Sequence, residues 1–315
     1  MSFELKPNDS FGKGLRRIAR KQIENAIKAT AGTYNGSRDK AIHEARKSCK
    51  KLRSLLRLVQ PKIKNAAYRK ENKCFRDAGR RLSEIRDAHV LIQTLDGLTK
   101  HFRDYIVSRS FSDVRKTLGA DLRAARKRVS GNHKAMAVVS DALREASSRI
   151  RTWTDVPNKW SSVGVGLEST YCRARDALRE SANDPSVEKL HEWRKQCKYL
   201  RYQLEVLRPI WQEQMNESAA QATHIGEMLG EDHDLAVLRE KIARGADRFG
   251  DKCEALLALI DRRRAELEQE AFLLSERYFE ESPRDFANRL KNCWKTLRSE
   301  SKSKRDSDVP VLSTR

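Results

Sequence analysis

The sequence predicts an all-α protein built from two similar, pseudo-symmetric helical bundles. Three observations carry this prediction: apolar residues recur at helical period, prolines are few, and one charged motif occurs twice. Alanine, leucine, glutamate, arginine and lysine are abundant, and all five favour helix. The chain of 315 residues has 7 prolines, none of them between Pro61 and Pro157, which leaves a long stretch free to be helical.

The repeated motif divides the chain into two halves. Residues 43–61 read HEARKSCKKLRSLLRLVQP and residues 191–209 read HEWRKQCKYLRYQLEVLRP, so that ten of nineteen positions are identical. The pattern G-x-G-L at 12–15 returns at 164–167, and the pattern L-x-E-x-x-D-x-x-V-L at 82–91 returns at 229–238. Self-similarity of this kind predicts an internal duplication.

We expect a single domain over residues 1–300, with a first repeat at about 10–153 and a second at about 160–299. Residues 154–158 are expected to connect the repeats, and residues 301–315 to form a disordered tail. Each half should hold about four or five helices that bury their apolar stripes as a bundle. Pro61 and Pro209 should end the two motif helices, and Ser282 with Pro283 should begin another.

Each motif helix is predicted to have one apolar face and one cationic face. With 3.6 residues per turn, Cys49 falls on the apolar side of the first helix, and Trp193 and Cys197 on that of the second. The cationic arc of the first helix carries His43, Arg46, Lys47, Lys50, Arg53 and Arg57. The cationic arc of the second carries His191, Arg194, Lys195, Lys198 and Arg201. Each helix therefore places a row of cations opposite the core.

These rows of like charge predict a binding face. Cations three or four residues apart repel one another, and mixed charges would serve solubility better. One lysine-rich helix is usually a solvated face, but here the same residue types recur at the same spacing in two diverged copies. Arginine offers phosphate a planar fork of donors, lysine a mobile charge, and histidine one or two ring donors. A linear polyanion along either helix would meet a new cation at each turn.

The overall charge indicates the same class of ligand. A net charge of +21 creates a field that attracts polyanions, of which DNA, RNA, an anionic membrane surface and inorganic polyphosphate are the candidates. The sequence has no apolar run near the roughly 20 residues of a membrane span, and its first residues lack the apolar core of a secretory signal. The 6 cysteines form no C-x-x-C pair. We therefore expect a soluble, reduced, cytoplasmic protein without a membrane partner.

Further candidate contacts lie outside the two motifs. A second basic face is predicted after the first motif, from Arg69, Lys73, Arg76, Arg80 and Arg86. Tyr171 and Arg175 lie on the helix before the second motif and are candidates as well. Asp87 and Asp234 either orient a basic side chain or cap a helix turn, and His224 and His233 have weak claims.

No catalytic or cofactor motif is found. The sequence has no G-x-x-x-x-G-K-[ST] loop, no dinucleotide fingerprint and no defensible Ser/His/Asp set. The His-Glu openings would fit a zinc-protease H-E-x-x-H only with a second histidine, where the chain has Lys47 and Lys195. Carboxylates are scattered rather than clustered for Mg²⁺. We expect no enzymatic activity, no cofactor and no metal site.

With these residues in place, the chain resembles the CHAD family, the conserved histidine α-helical domain. The segments that carry the resemblance are HEARKSCKKLRSLLRL at 43–58 and HEWRKQCKYLRYQLE at 191–205. Supporting segments are GLRRIAR at 14–20, RLSEIRDAHVL at 81–91 and MLGEDHDLAVL at 228–238. The resemblance extends from about residue 5 to residue 298, nearly the whole sequence.

The resemblance implies two pseudo-symmetric bundles around a basic central groove that binds inorganic polyphosphate. By motif position it makes candidate contacts of His43, Arg46, Lys47, Lys50, Arg53, His191, Arg194, Lys195, Lys198 and Arg201. Many relatives are fused to a triphosphate tunnel domain with an E-x-E-x-K motif. This sequence has no such motif and looks like a stand-alone member. Some members of the family are linked with polyphosphate granules.

Two functional interpretations follow. The leading one is non-catalytic capture of inorganic polyphosphate by two facing basic helices, with nucleic acid bound only non-specifically. The alternative is an RNA- or DNA-binding helical protein. Base recognition usually adds aromatic platforms, which are few here. Competition between polyphosphate and nucleic acid distinguishes the two.

Overall fold

The structure, a computed structural model, describes residues 3–6, 9–31, 34–107, 109–130, 133–210, 212–249 and 252–307. Within these residues every regular element is an α-helix or a short 3-10 turn, so the predicted all-α class is confirmed. None of the helices in this part of the chain is both long and apolar enough to cross a bilayer.

The first half supplies seven of the described helices. They are α1 (Phe11–Thr30), α2 (Arg38–Val59), α3 (Asn65–Arg81), α4 (Ser83–His101), α5 (Ser112–Ser130), α6 (His133–Ser148) and the single turn α7 (Arg151–Thr154). Ser10 and Ser37 begin α1 and α2, because each hydroxyl oxygen accepts a hydrogen bond from a backbone N–H of the first turn. As predicted, α2 ends just before Pro61, which lies in a 3-10 turn.

The second half supplies the other six. They are α8 (Gly164–Asn183), α9 (Val187–Leu207), α10 (Gln212–Arg244), the single turn α11 (Ala246–Phe249), α12 (Cys253–Tyr278) and α13 (Pro283–Ser307). Ser186 caps α9, and Pro209 follows this helix in a 3-10 turn. Ser282 caps α13, with Pro283 as its first residue, which confirms the predicted start.

Two expectations about chain organisation differ from the structure. Each half has more described helices than four or five, because the chain also breaks at Leu82 and Gly245, where no proline marks the break. The tail is expected from residue 301, but α13 runs on to Ser307, and the disordered tail stays a prediction. Residues 308–315 lie outside the described residues.

One hydrophobic core runs through both halves. α2 packs on α1 and α9, and α9 packs on α8 and α10. Cys49 and Cys197 are each 1 % exposed, which confirms them as small core residues. The predicted connector at 154–158 joins the same core, because Thr154 and Val156 are buried. The internal duplication stays a prediction.

Close helix contacts explain the recurring glycines near the start of each half. A β-carbon at Gly166 would lie 2.0 Å from the carbonyl oxygen of Leu58, so α8 can touch the backbone of α2 only with glycine there. A β-carbon at Gly14 would lie 2.4 Å from Leu5 Cδ2. The Gly166 contact holds α8 against α2, which carries the first row of cations.

Candidate anion-binding site

Four helices enclose a cavity of about 760 Å³. α2 contacts α9, α9 contacts α10, α10 contacts α4 and α4 contacts α2, so that the four form a closed ring. We call this space the interhelical cavity. Its lining consists of His43, Arg46, Lys47 and Lys50 of α2; Val90, Gln93, Thr94, Gly97 and Leu98 of α4; His191, Arg194, Lys198, Arg201 and Tyr202 of α9; and Gly226, Glu227, Gly230, Glu231, His233, Asp234 and Leu235 of α10. On each helix these residues recur at the spacing of one helical face.

The two predicted cation rows meet in this cavity. Eight of the predicted contacts line it: His43, Arg46, Lys47, Lys50, His191, Arg194, Lys198 and Arg201. The apolar faces of α2 and α9 lie in the core, and Ser54 Oγ of α2 donates a hydrogen bond of 2.8 Å to the Tyr199 carbonyl of α9. Because α2 and α9 lie side by side with their apolar faces in the same core, their cationic faces open on the same side, toward one shared space.

α10 adds imidazole and carboxylate groups to the wall opposite α2. The rings of His233 and His191 face each other with centroids 4.6 Å apart. His233 Nδ1 lies 3.2 Å from Asp234 Oδ1. Glu231 accepts two hydrogen bonds of 2.8 and 3.3 Å from the guanidinium of Arg263 on α12, which offsets its charge. Glu231 and Asp234 of this wall thus have a cationic and an imidazole neighbour, respectively.

The cations of the cavity perturb one another. Burial, together with the positive charges of Arg194 and Lys50, lowers the pKa of Lys198 to about 6. Burial, His233 and Arg194 lower the pKa of His191 well below its ordinary value. Burial opposes ionisation of Asp234, yet its hydrogen bond with His233 and the nearby cations lower its pKa. An anion in the cavity would favour the charged forms of Lys198 and His191.

The second part of the α2 row faces α3 instead of the cavity. Arg53 Nε and Arg57 Nη1 donate hydrogen bonds of 3.0 and 3.3 Å to Asn72 Oδ1 of α3. The guanidinium of Arg57 also lies over the Tyr199 ring, 3.9 Å from its centroid. Both arginines share a helix face with the cavity residues, but the neighbour of that face changes along the 22 residues of α2.

The other predicted cations lie outside the cavity. Arg69, Lys73 and Arg80 are exposed on α3, and Arg76 pairs with Asp77 at 2.9 Å. Lys195 pairs with Glu192 on its own helix and does not line the cavity. The side chains of Arg86 and Asp87 lie outside the described residues. The α3 cations stay candidate contacts outside the cavity.

The structure corrects the placement of Tyr171, which the sequence suggested as a ligand contact. Tyr171 is 1 % exposed and stacks on Phe286 of α13, with ring centroids 4.2 Å apart. Its hydroxyl lies 3.2 and 3.1 Å from the carbonyl oxygens of Tyr278 and Glu281, to which it donates. This face of α8 packs on α13, so Tyr171 is a core residue. Arg175 is half-buried on α8 and does not line the cavity either.

Sequence reasoning missed most of the walls that α4 and α10 contribute, and singled out only Asp234 and, weakly, His233 among them. Most of these residues are small or uncharged, such as Thr94 and Gly97, and uncharged residues at helical spacing do not signal a binding site. One signal in the sequence was the pair Gly226 and Gly230, four residues apart and so on one helix face. Glycine inside a helix is destabilising, so two on one face indicate that space is needed there. Within the described residues, no three His, Cys, Asp or Glu side chains are grouped to hold a metal ion.

Comparison with known proteins identifies the family of the chain. The family model of the CHAD domain matches residues 17–243 of the sequence. The chain belongs to the CHAD family. The matched residues include both motif helices and nearly all of α10.

A solved CHAD structure is similar over almost the whole length. The crystal structure of the CHAD domain from the plant Ricinus communis has a TM-score of 0.57 and 15 % sequence identity, and the match covers 93 % of each chain. At this identity the likeness shows the CHAD fold alone. No curated protein matches the sequence.

Proposed function

We propose that this CHAD protein binds inorganic polyphosphate in the interhelical cavity and does not transform it chemically. The observation that carries the proposal is the meeting of two cation rows, one at residues 43–50 and one at 191–201, across a single cavity. CHAD domains are known in general for polyphosphate binding, which supports the choice of ligand.

The charges of the cavity suit a phosphate chain. Arginine and lysine side chains enter from α2 and α9, whereas the carboxylates come from α10, where Arg263 holds Glu231 and His233 lies beside Asp234. Polyphosphate carries a negative charge on every internal phosphate, and arginine and lysine are the side chains that best recognise this group. The polyphosphate would lie along the cationic side of the cavity, against α2 and α9.

The lining favours polyphosphate over nucleic acid. Proteins that hold single strands stack the bases on aromatic side chains. Tyr202 is the one Phe, Tyr or Trp among the described lining residues. A ligand without bases needs no such platform, so charge and space suffice for polyphosphate.

The test is calorimetric titration with long-chain polyphosphate at two salt concentrations, with duplex DNA and RNA as competitors. We expect submicromolar binding that weakens with salt, because bound cations release counterions from the polyanion, and that survives excess nucleic acid. Ready displacement by RNA would assign the cation rows to nucleic acid instead. Phosphate released from polyphosphate in the presence of any divalent metal would overturn the non-catalytic part of the proposal.

The proposal extends to location in the cell. A protein that binds polyphosphate should concentrate at polyphosphate granules. We expect a fluorescent fusion to colocalise with stained granules and a Lys50→Glu fusion to stay diffuse. Equal recruitment of both fusions would show that this cavity does not direct localisation.

A further inference from the structure

His233 lines the interhelical cavity although it belongs to neither motif helix. It comes from α10, and its ring faces that of His191 on α9 at a centroid distance of 4.6 Å. The side chain of His233 is 26 % exposed, so the ring is enclosed but reachable from the cavity. The two imidazoles are close enough to donate to neighbouring oxygens of one phosphate.

Asp234 determines how the ring of His233 is presented. The nearby cations and the hydrogen bond with His233 lower the pKa of Asp234 against the effect of burial, so this carboxyl is ionised at neutral pH. An ionised carboxylate can only accept a hydrogen bond, so His233 Nδ1 carries the hydrogen in the 3.2 Å contact. Nε2 is therefore the nitrogen left for another partner.

The sequence places His233 where the first half of the chain has an arginine. Asp234 matches Asp87 in the repeated pattern L-x-E-x-x-D-x-x-V-L, and the residue before each aspartate is His233 in one half and Arg86 in the other. Both residue types can donate to phosphate, arginine always and histidine from both nitrogens once it is protonated. The position thus keeps a phosphate donor in both halves.

We infer that His233 is a further polyphosphate-contacting residue and that Asp234 is the residue that positions it. The inference rests on the proposed function of the same cavity. Phosphate oxygens only accept hydrogen bonds, so this contact requires a hydrogen on Nε2 of the bound ring. Asp232 and Asp234 on its own helix and His191 on α9 lie around this ring. Cations act on the same groups: Arg194 and Lys198 of α9 on Asp234, and Arg264 of α12 on Asp232. The described α4 lining contributes no charged group.

The first test compares affinities for long-chain polyphosphate. His233→Gln should bind about tenfold more weakly than wild type, which corresponds to about 1.4 kcal/mol. His233→Arg, which copies the first half, should restore or exceed wild-type affinity. The matched control is His224→Gln on the same helix, where the side chain is 56 % exposed and outside the cavity, and it should bind as wild type. Wild-type affinity in His233→Gln would overturn the inference.

A second measurement does not depend on the variants being fully stable. ¹⁵N NMR of the histidine rings in wild-type protein should show His233 with hydrogen on Nδ1, and added polyphosphate should shift the Nε2 signal of this ring. In Asp234→Asn the ring should lose its single tautomer. An Nε2 signal that polyphosphate leaves unchanged, in wild-type protein that binds it, would overturn the inference alone. Failure of wild type to bind would overturn the proposed function itself.

Discussion

The carboxylate of Glu205 joins the two basic helices, with Oε2 at 3.3 Å from Lys51 Nζ of α2. The other oxygen of the same carboxylate accepts a hydrogen bond of 2.9 Å from Arg201 Nε on α9. Lys51 also lies over the ring of Phe3, 4.0 Å from its centroid. One acidic group thus stands between a lysine of α2 and an arginine of α9 that would otherwise repel each other.

Removing this charge should destabilise the fold without removing the site. Glu205→Gln should lower the free energy of unfolding by about 1–3 kcal/mol, because two partly buried cations lose their counter-charge. Chemical denaturation should show the largest loss at low salt, with polyphosphate binding retained. Glu180→Gln, at an exposed position on α8, is the matched control. A Glu205→Gln protein as stable as wild type at low salt would show that repulsion between Lys51 and Arg201 is negligible.

Charge reversal in the cavity should abolish binding. The double variant Lys50→Glu with Lys198→Glu puts a negative charge on both facing helices. We expect it to have no measurable affinity for polyphosphate, because the cations that release counterions are lost. Lys198 is partly buried, so its reversal could also disturb folding. The single variant Lys50→Glu, at an exposed position, is therefore measured as well and should weaken binding without loss of helicity. Arg173→Glu with Arg179→Glu, exposed on α8, carries the same change in net charge. Equal loss in that control would mean that net charge, not this cavity, holds the ligand.

Binding should take up protons and tighten as pH falls. Lys198, with a pKa lowered to about 6, is largely uncharged at pH 8 in the empty cavity and becomes charged below pH 6. Arg194 and Arg201 on α9 and Lys50 on α2 oppose its protonation, whereas Asp234 on α10 favours it. A bound polyanion favours the charged form, so affinity should rise from pH 8 to pH 5. Calorimetry at pH 7 in two buffers of different ionisation enthalpy should reveal proton uptake, and its absence would contradict this assignment.

Lys198 should lower the free energy of unfolding at neutral pH. Its pKa falls from an ordinary 10.5 to about 6 on folding, so between those values the unfolded chain binds a proton that the folded chain does not. This contribution to stability therefore falls as pH is lowered from 10 toward 6. Lys198→Met should raise the Tm at pH 7, flatten the pH dependence of stability and weaken polyphosphate binding. A lower Tm at pH 7 would show that the ammonium is stabilised in the fold.

The free space beside Gly97 should be needed for polyphosphate binding, independently of charge. A β-carbon added there meets no atom within 4 Å, and the position lines the cavity. Gly97→Leu should fill this space and weaken polyphosphate binding about tenfold, which corresponds to about 1.4 kcal/mol, whereas Gly97→Ala should bind normally. Gly119→Leu on α5, another glycine inside a helix, is the control outside the cavity. Unchanged affinity in Gly97→Leu would show that the ligand does not approach α4.

Gly166 should be intolerant of any side chain. Because its β-carbon would lie 2.0 Å from the Leu58 carbonyl oxygen and 2.8 Å from that of Arg57, Gly166→Ala forces α8 away from α2. We expect a loss of about 1–3 kcal/mol or more in the free energy of unfolding. Gly119→Ala, which makes only an ordinary contact of 3.6 Å, should be neutral or stabilising. Equal stability of the two variants would contradict the close helix contact.

Much of the site could be predicted because local periodicity carries it. The cation rows of α2 and α9 were visible as arcs on a helical wheel, and the same arcs placed Cys49 and Cys197 in the core. Arg53 and Arg57 belong to the same arc as His43, yet they lie against Asn72 of α3. A helical wheel gives the direction of a side chain but not the neighbour that it meets at a given height along the helix.

The sequence by itself determined the helical class, the two rows of cations and the helix boundaries at Pro61 and Pro209, because these depend on residues within a few turns of one another. Only the tertiary structure decided that the rows meet across one cavity, that α4 and α10 close it, and that Tyr171 is a core residue. Those outcomes depend on packing between helices far apart in sequence. Contacts such as Gly166 with Leu58 set that packing, and no local pattern encodes it.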